Sequence, residues 1–268
     1  PEVETTLRGI EPFILNKKIS SVVIRQSSLR WTVPTKLIQK KLLGRTFSNI
    51  TRRGKYLLLE SCNEHLIIHL GMSGSLRIAK EEDLKKHDHI DVCFVDGTIL
   101  RYCDPRRFGC FLWTKDVETH FLLKDLGPEP LGNNFSGDYL FHNSRKRKVP
   151  IKNFIMNSKV VVGVGNIYAT EALFAAAIRP SSKAGKVPRK KYDLLAKEIV
   201  TILRRSIKDG GTTLRDFVSG NNTPGYFKQS LKVYGREGKE CYECQTIIKG
   251  QRIGQRASAY CPLCQSSF

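Results

Sequence analysis

The chain has few acidic residues for its size and no long apolar run. Asp and Glu together number 25 against 45 Lys and Arg, so the formal net charge is +20. No stretch reaches the roughly eighteen consecutive apolar residues that a transmembrane helix needs. The first residues, Pro-Glu-Val-Glu-Thr-Thr, lack the basic and apolar regions of a secretory signal peptide. We therefore expect a soluble, cytoplasmic protein with no membrane partner.

The excess of basic residues indicates a polyanionic partner, and nucleic acid is the first candidate. A length of 268 residues suffices for two domains with a small appendage, and an apolar content of 40% fits a folded globular protein. The densest basic cluster comprises residues 145–148 and Lys152, with no acid among them. A solvated face is one interpretation of this cluster, but the basic character of the whole chain favours phosphate contact.

The C-terminal region contains two C-x-x-C pairs. Cys241 and Cys244 form the first pair, and sixteen residues separate it from Cys261 and Cys264. Such pairs can place four thiolates around one ion, with a hairpin between them. Two disulfides or two redox dithiols are the alternative, but the symmetric spacing favours one Zn2+. Four sulfur ligands leave no open coordination position, so the ion would stabilise a short segment and activate no water. Arg256 lies near the tip of the predicted hairpin.

Hydrophobic periodicity separates a strand-rich first half from a helical second half. A helical stripe begins at Val3 and includes Pro12, which we expect to kink or end the helix. Strands are predicted at 20–24, 55–60, 65–70, 90–95 and 98–102, and helices at 138–143, 151–158, 167–178 and 190–207. The first half should be a β-sandwich closed by the first helix. The proline and glycine density of 125–131 marks a boundary, and Asn166 is suited to cap the third of these later helices.

Two stretches interrupt the strand-rich half with turn residues: His69-Leu-Gly-Met72-Ser-Gly-Ser-Leu76 and Asp104-Pro-Arg106-Arg-Phe108-Gly109. We predict loops at strand ends, where binding residues concentrate. Arginine beside phenylalanine suits a surface that enters DNA, with the guanidinium reading an acceptor edge and the ring acting as a wedge. Met72 fits a second apolar plug. The alternative is that Met72 and Phe108 fill the core.

Three further features are ambiguous when taken alone. Lys55 stands at the entrance of a strand, where a lysine usually keeps its ammonium in water. His87 and His89 resemble a metal or acid–base pair, but no third ligand is evident. The Gly163-Val-Gly165 turn before Asn166 either offers free amides to a phosphate at a helix start or is a buried turn between helices.

Taken together, these blocks resemble the bacterial formamidopyrimidine-DNA glycosylases, also called 8-oxoguanine DNA glycosylases. The matching blocks are Pro1-Glu-Val-Glu-Thr, Arg53-Gly-Lys-Tyr-Leu-Leu, the His69 and Asp104 stretches, His87-Asp-His89, Leu126-Gly-Pro-Glu-Pro-Leu, Gly163-Val-Gly-Asn-Ile-Tyr, Pro224-Gly-Tyr-Phe, and the four-cysteine tail with Gln255-Arg256-Ala. They follow the family's order from end to end. Agreement of so many blocks is far more specific than any one of them.

The resemblance implies an α+β multidomain fold. An N-terminal β-sandwich catalytic domain with flanking helices would span 1–128, and a helical DNA-binding domain with a helix-two-turns-helix element would span 129–222. A four-cysteine zinc ribbon would occupy 223–268. The implied partner is damaged double-stranded DNA, bound by a monomer in the bacterial cytosol or nucleoid, and the implied cofactor is one structural Zn2+.

The resemblance also implies a base-excision-repair enzyme that is both a DNA-formamidopyrimidine glycosylase and a DNA-(apurinic or apyrimidinic site) lyase. The enzyme flips an oxidised purine, such as 8-oxoguanine, because the glycosidic carbon is unreachable inside the stack. An N-terminal proline amine attacks that carbon to form an iminium, and β- and δ-elimination cut the strand. A terminal amine suits this step, since its reference pKa of about 8 leaves a useful neutral fraction.

The family's site residues carry over by motif. Lys55 would be a proton donor or phosphate partner during elimination, and Arg256 and Asn166 would grip phosphates at the lesion. Met72, Arg106 and Phe108 would fill the space left by the flipped base, with Arg106 reading the orphan cytosine. The residues expected on the DNA backbone are His69, His87, Arg147 and Lys152. The residues expected at the lesion pocket are Glu2, Glu171, Thr213 and Tyr226.

One departure concerns the start of the chain. The family opens Pro-Glu-Leu-Pro-Glu-Val-Glu, whereas Pro1-Glu2 aligns with the second Pro-Glu, so these two residues would not be the nucleophile and its acid. Either three residues precede Pro1 in the natural protein or the catalytic amine is lacking. Retention of Lys55, Arg256 and the four cysteines favours the first.

Two other functions stay open. A sister enzyme that excises oxidised pyrimidines is disfavoured by the Asp104-Pro-Arg-Arg-Phe block. A zinc-ribbon protein that binds DNA without catalysis explains the charge and the cysteines, but it gives no reason for Lys55 or for the set of Met72 and Phe108.

Overall fold

The computed structural model describes residues 1–80, 83–211 and 231–268, and these form two compact units. The first unit comprises residues 1–124 and resumes at Ile207, and the second comprises 125–206 and 231–268. Within these ranges no helix has the length and apolar character that crossing a membrane requires. The division of the chain at 128 and 222 stays a prediction.

The first unit is a pair of antiparallel sheets with two helices. Its elements are α1 (Glu2–Ile14), β1 (Ile19–Ile24), α2 (Thr35–Leu42), β2 (Asn49–Arg53), β3 (Tyr56–Ser61), β4 (Glu64–His69), β5 (Ser75–Ala79), β6 (Asp88–Phe94), β7 (Ile99–Cys103) and β8 (Cys110–Thr114). One sheet has the order β1-β6-β7-β5 and the other β2-β3-β4-β8. Both sheets and both helices contribute to one apolar core, which confirms the predicted sandwich.

Helix α1 forms because Leu7, Ile10 and Ile14 recur at helical spacing and are all buried. Acidic side chains in its first turn stabilise the helix through their interaction with the positive end of the helix dipole. The helix does not end at Pro12 but continues to Ile14. So close to the C-terminus of a helix, the missing N–H of proline removes a single backbone hydrogen bond, and packing of Ile14 in the core maintains the last turn.

The five predicted strands correspond to β1, β3, β4, β6 and β7, with ends shifted by one or two residues. Sequence patterns missed α2, β2, β5 and β8. Helix α2 buries only Ile38 and Leu42, and β2 buries only Ile50 among polar neighbours. Such short, mostly polar segments become regular through tertiary pairing with strongly patterned neighbours.

The second unit is helical and ends in a hairpin. Its elements are α3 (Gly137–Ser144), α4 (Ile151–Met156), α5 (Asn166–Ala175), α6 (Arg189–Lys208), β9 (Lys249–Ile253) and β10 (Arg256–Tyr260). All four predicted helices are confirmed. Helix α3 begins where the Ser136 side chain accepts a hydrogen bond from the Tyr139 N–H, as in an N-cap. The predicted cap of α5 is wrong: Gly165 occupies the cap position and Asn166 is the first helical residue.

Candidate functional site

In the first unit, the loop after β4 lies directly against the loop after β7. A Cβ atom on Gly71 would lie 2.8 Å from the Gly109 nitrogen and 3.0 Å from the Phe108 carbonyl carbon. Gly71 also has a φ of +67°, a region that side chains disfavour. Glycine at position 71 therefore permits this backbone approach, which brings the loops of Met72 and Phe108 together.

Asp104 holds the second loop in shape. The residue is fully buried, and its Oδ2 accepts hydrogen bonds from the Gly109 N–H at 2.8 Å and the Tyr102 hydroxyl at 3.1 Å. Its backbone carbonyl accepts the Arg107 N–H at 3.2 Å. A buried carboxylate requires such donors, so residues 104–109 close into a compact loop.

This loop pair exposes the side chains that sequence reasoning singled out. Met72 is 74% exposed and Phe108 is 44% exposed, so the interpretation of both as core residues is wrong. The Arg106 guanidinium lies 4.8 Å from the Phe108 ring centroid, a cation–π distance. The adjoining loops therefore present two apolar side chains and a stacked guanidinium to the exterior.

Lys55 and His69 lie at neighbouring ends of paired strands, since β3 pairs with β4 from Tyr56 opposite His69. Lys55 is exposed in the turn between β2 and β3, after Gly54, whose φ of +60° fits the first position of a type II′ turn. The Nδ1 atom of His69 accepts the Gly71 N–H at 3.0 Å.

The imidazole of His69 is an uncharged donor. Burial, together with the positive charges of Lys55 and Arg30, lowers the pKa of His69 to about 4. The ring is therefore neutral near pH 7. Because Nδ1 accepts a hydrogen bond, the proton of the neutral ring resides on Nε2, which can donate to a phosphate without contributing charge.

Sequence reasoning missed Arg30. Its exposed guanidinium stacks 4.9 Å from the Trp31 ring centroid, and its backbone N–H donates to the Gly109 carbonyl at 3.3 Å. Trp31 packs edge-on against Phe121, with centroids 5.9 Å apart. No local pattern marks Arg30, because contacts between distant segments bring it near His69.

The remaining first-unit candidates lie at element ends. His87 is half-buried before β6, where its carbonyl accepts the Asp104 N–H at 3.1 Å and its ring lies 6.3 Å from that of His89. Glu2 opens α1. Thr213 and Tyr226, expected at the lesion pocket, fall outside the described residues.

In the second unit, Arg256 begins the return strand of the hairpin. The turn residues Gly254 and Gln255 have φ values of +52° and +64°, which fit a type I′ turn. A Cβ atom on Gly254 would lie 2.6 Å from Nδ2 of Asn153 on α4, so the turn rests on that helix. The Arg256 side chain is exposed, with Nη1 3.9 Å from the sulfur of Met156.

The position of Lys152 does not fit the expected contact with the DNA backbone. It is fully buried, and its ammonium donates to Ser258 Oγ at 2.6 Å and to the Ala257 carbonyl at 2.9 Å. Burial, with the nearby charge of Arg256, lowers the pKa of Lys152 to about 8. Asn166 Nδ2 donates to the same Ala257 carbonyl at 3.3 Å. Both side chains therefore fix the strand that carries Arg256.

Glu171 is also an internal anchor. It is 5% exposed, and its carboxylate accepts the backbone N–H groups of Lys232, Val233 and Tyr234 at 2.8, 3.0 and 2.8 Å. Three amide donors satisfy a buried carboxylate. Glu171, expected at the lesion pocket, instead joins α5 to the segment that precedes the cysteines.

The four C-terminal cysteines converge on one point. Their sulfur atoms all lie within 4.8 Å of one another, and Cys244 Sγ is 3.4 Å from those of both Cys261 and Cys264. Cys241 Sγ lies 4.0 Å from that of Cys264. A tetrahedral ion with sulfur at about 2.3 Å requires S···S separations of about 3.8 Å. The donor set therefore fits a single tetrahedral metal ion.

The chain is similar along its length to known proteins. Two family models match it, "Formamidopyrimidine-DNA glycosylase N-terminal domain" over residues 1–111 and "Formamidopyrimidine-DNA glycosylase H2TH domain" over 126–218. Proteins named formamidopyrimidine-DNA glycosylase from Cellvibrio japonicus and Saccharophagus degradans are 55% and 53% identical over 267 residues, which cover 99% of this chain and 98% of each relative. A Lactococcus lactis Fpg complex with abasic-site DNA superimposes with a TM-score of 0.92 at 33% identity, covering 100% of this chain and 99% of that one.

Backbone atoms approach Gly71 so closely that an added methyl group should lower the free energy of unfolding more at this position than at a glycine with open space around it. Gly97 has a φ of +84° and no atom within 4 Å of an added Cβ, so Gly97→Ala should cost only the backbone strain, about 1 to 2 kcal/mol. Gly71→Ala should cost a further ~1 to 3 kcal/mol, because two backbones must separate. Urea denaturation of both variants measures the difference. Equal losses would contradict the packing of the two loops.

The placement of Arg30 predicts a change in the pKa of His69. Removal of one of the positive charges that oppose protonation should raise this pKa in Arg30→Gln toward its ordinary value. Arg45→Gln, at another exposed arginine of the same unit, is the matched control and should leave it unchanged. An NMR titration of the His69 ring measures both. An identical pKa in parent and Arg30→Gln proteins would show that Arg30 lies elsewhere.

Proposed function

The chain belongs to the formamidopyrimidine-DNA glycosylase family, and from this we propose that it excises oxidised purines from double-stranded DNA and then cleaves the strand as an AP lyase. The observation that supports this function most directly is the pair of adjoining loops that exposes Met72 and Phe108 beside Arg106. Exposed apolar side chains on braced loops are unfavourable in water, but they suit insertion into a base stack.

A flipped base leaves a gap that must be filled if the rest of the duplex is to stay stacked. In this proposal Met72 and Phe108 enter the gap, and Arg106 donates hydrogen bonds to the cytosine that has lost its partner. The Phe108 ring stacks on the Arg106 guanidinium at 4.8 Å and so limits the orientations that this donor adopts. The preference for a lesion opposite cytosine would follow from this one residue.

Phosphate contacts are assigned to the polar side chains around these loops. Lys55 and Arg30 contribute charge, and the neutral imidazole of His69 contributes a directed hydrogen bond. Support comes from their shared position at the ends of β3, β4 and the loop at Gly109. His87, beside the loop of residues 104–109, is proposed to contact the backbone as well.

The proposed chemistry begins with a proline amine, which the family carries three residues ahead of the position of Pro1. The amine nitrogen attacks C1′ of the sugar and loses its proton, and the bond to the oxidised base breaks with its electron pair, so that the base leaves in protonated form. The C1′–O4′ bond then breaks to open the sugar ring, O4′ takes up a proton, and the resulting iminium permits β- and δ-elimination. Lys55 is the proposed proton donor or phosphate partner in these steps. Its exposed position in a tight turn suits a side chain that follows a moving phosphate.

We further propose that Cys241, Cys244, Cys261 and Cys264 hold one structural Zn2+. The ion would join the two ends of the hairpin, while Lys152 and Asn166 bind its return strand to α4 and α5. The ion and these hydrogen bonds together would fix the strand that carries Arg256, and we assign Arg256 to phosphate binding. In this assignment Lys152 and Glu171 are positioning residues, and Asn166 both bonds to the return strand and remains a proposed phosphate contact.

Excision is tested with two polypeptides that differ at one end. A protein with Pro-Glu-Leu ahead of Pro1, and with its initiator Met removed, should nick duplex containing 8-oxoguanine opposite cytosine and be trapped covalently by borohydride. One that begins at Pro1 should bind the same duplex but give neither product, because the attacking amine is absent. Undamaged duplex and a thymine glycol duplex are the controls.

Trapping of the protein that begins at Pro1 would overturn the assignment of the nucleophile. If neither protein nicks any lesion duplex, the alternative of a protein that binds DNA without catalysis is favoured. Faster excision of thymine glycol than of 8-oxoguanine would place the chain with the sister enzymes for oxidised pyrimidines.

Zinc removal should reduce DNA affinity through the hairpin. In Cys244→Ser one thiolate is lost, so we expect a zinc-depleted protein with at least tenfold weaker binding of lesion duplex, since loss of one charged phosphate contact costs ~1.5 kcal/mol or more. Cys62→Ser, at an exposed cysteine outside the cluster, is the matched control. Metal analysis and fluorescence anisotropy measure both effects. Full affinity and activity in a zinc-free Cys244→Ser protein would show that the ion does not support DNA binding through the hairpin.

A further inference from the structure

Helix α6 (Arg189–Lys208) carries a row of three exposed cations. Lys190, Lys197 and Arg204 are all exposed and recur at intervals of seven residues. Seven residues make almost two full turns, so the three side chains lie within about 40° of one another around the helix axis. The row is roughly 21 Å long at a rise of about 1.5 Å per residue. We name these three residues the cationic stripe.

The cationic stripe faces away from the helices on which α6 packs. Tyr192, Ile199 and Leu203 are buried, and a turn of about 100° per residue places them on the opposite side of α6 from the stripe. The Tyr192 ring lies 6.2 Å from that of Phe141 on α3 and 6.3 Å from that of Phe154 on α4. The stripe is therefore on the outer side of the helix.

Helix α4 separates the cationic stripe from the hairpin of Arg256. Lys152 and Asn153 contact the hairpin, whereas Phe154 contacts Tyr192 of α6. A turn of about 100° per residue places Phe154 about 150° around α4 from the midpoint between Lys152 and Asn153. The stripe and the hairpin thus lie on opposite sides of α4. Duplex DNA is stiff over so short a distance, so one segment does not contact both surfaces.

The charge of the cationic stripe is directed outward. None of its side chains has a hydrogen-bond or ion-pair partner among the residues that the structure describes. The helix contains two acids, Asp193 and Glu198. Glu198 is half-buried, and the Oδ1 atom of Asp193 lies against the backbone of Gly137 on α3. Three like charges in one row, with neither acid paired to them, attract a polyanion.

The composition of α6 distinguishes between two kinds of anionic partner. An acidic protein would be expected to dock through aromatic or aliphatic anchors, which need an apolar surface on α6. Helix α6 exposes no large apolar side chain. A polyphosphate needs only cations, and long flexible side chains bind phosphates without reading base edges. The cationic stripe therefore fits the backbone of a nucleic acid better than an acidic protein.

We propose that the cationic stripe binds the phosphate backbone of a second segment of duplex DNA while the protein holds a first. Binding of the first segment rests on the proposed function, and binding of the second is independent of damage. A protein that holds two segments at once can pass from one to the other during its search without entering free solution. The stripe would then serve the search for lesions and not their recognition.

The test measures bridging of two duplexes by the full chain. An undamaged biotinylated duplex is immobilised and loaded with protein, and capture of a fluorescent undamaged duplex is measured from about 50 to 200 mM salt. Three phosphate contacts give a slope of log K against log salt of about −2.7, so parental affinity for the second duplex should fall about fortyfold across this range. The triple variant Lys190→Gln, Lys197→Gln, Arg204→Gln removes the stripe.

A triple variant of the first unit is the matched control. Lys36→Gln, Lys40→Gln, Arg45→Gln has the same loss of charge at three exposed positions. At low salt we expect the stripe variant to capture the second duplex about tenfold less or weaker still, and the control variant to match the parent. Affinity of the stripe variant for a single duplex, measured by anisotropy, should equal that of the parent, which also shows that the variant is folded.

Parental capture by the stripe variant, an equal loss in the control, or no capture by the parent would overturn the proposal. Capture of fluorescent poly-glutamate by the parent in preference to the second duplex would assign the stripe to an acidic protein and overturn it as well. A parent that captures the second duplex but does not distinguish lesion from undamaged duplex would count against the proposed function alone.

Discussion

Each candidate site is held in place by a buried acidic or basic side chain that is hydrogen-bonded to backbone groups. Asp104 closes the loop of Phe108, Lys152 fixes the strand of Arg256, and Glu171 binds the segment ahead of the cysteines. A charge removed from water is tolerated only where the protein supplies the lost hydrogen bonds. A shifted loop or strand would leave such a charge unpaired, so these anchors restrict each site to a narrow set of geometries.

Because buried side chains hold the loops and the hairpin in place, the side chains at their surface are not needed for packing and can stay exposed. Met72 and Phe108 are not needed for the core, because glycine backbones and Asp104 already join their loops. Arg256 is exposed because Lys152, and not Arg256 itself, holds the hairpin to α4. A binding group whose support comes from other residues can exchange water for DNA without loosening the fold.

Sequence patterns predicted the sandwich, the four helices and the cysteine cluster, because these depend on local periodicity or on fixed spacing. The same patterns assigned Lys152 to DNA and overlooked Arg30. Lys152 meets its carbonyl acceptor 105 residues further along the chain. Whether a lysine is buried or exposed depends on such a contact, which neither composition nor spacing records. The family resemblance supplied the candidate site residues, and the packing shows which of their side chains are exposed and which are bonded to the protein's own backbone.

The arrangement also separates two contributions to binding that respond differently to ionic strength. In the proposed function, Met72 and Phe108 fill the gap in the base stack and the imidazole of His69 donates to a phosphate, and none of these three side chains carries charge near pH 7. In the same proposal, general affinity depends on phosphate contacts made by exposed cations such as Arg30 and Arg256. Salt weakens the second contribution and leaves the first nearly intact. Discrimination between damaged and undamaged duplex therefore need not be lost as total affinity falls, since Met72 and Phe108, which fill the gap left by the flipped base, contribute no counterion release.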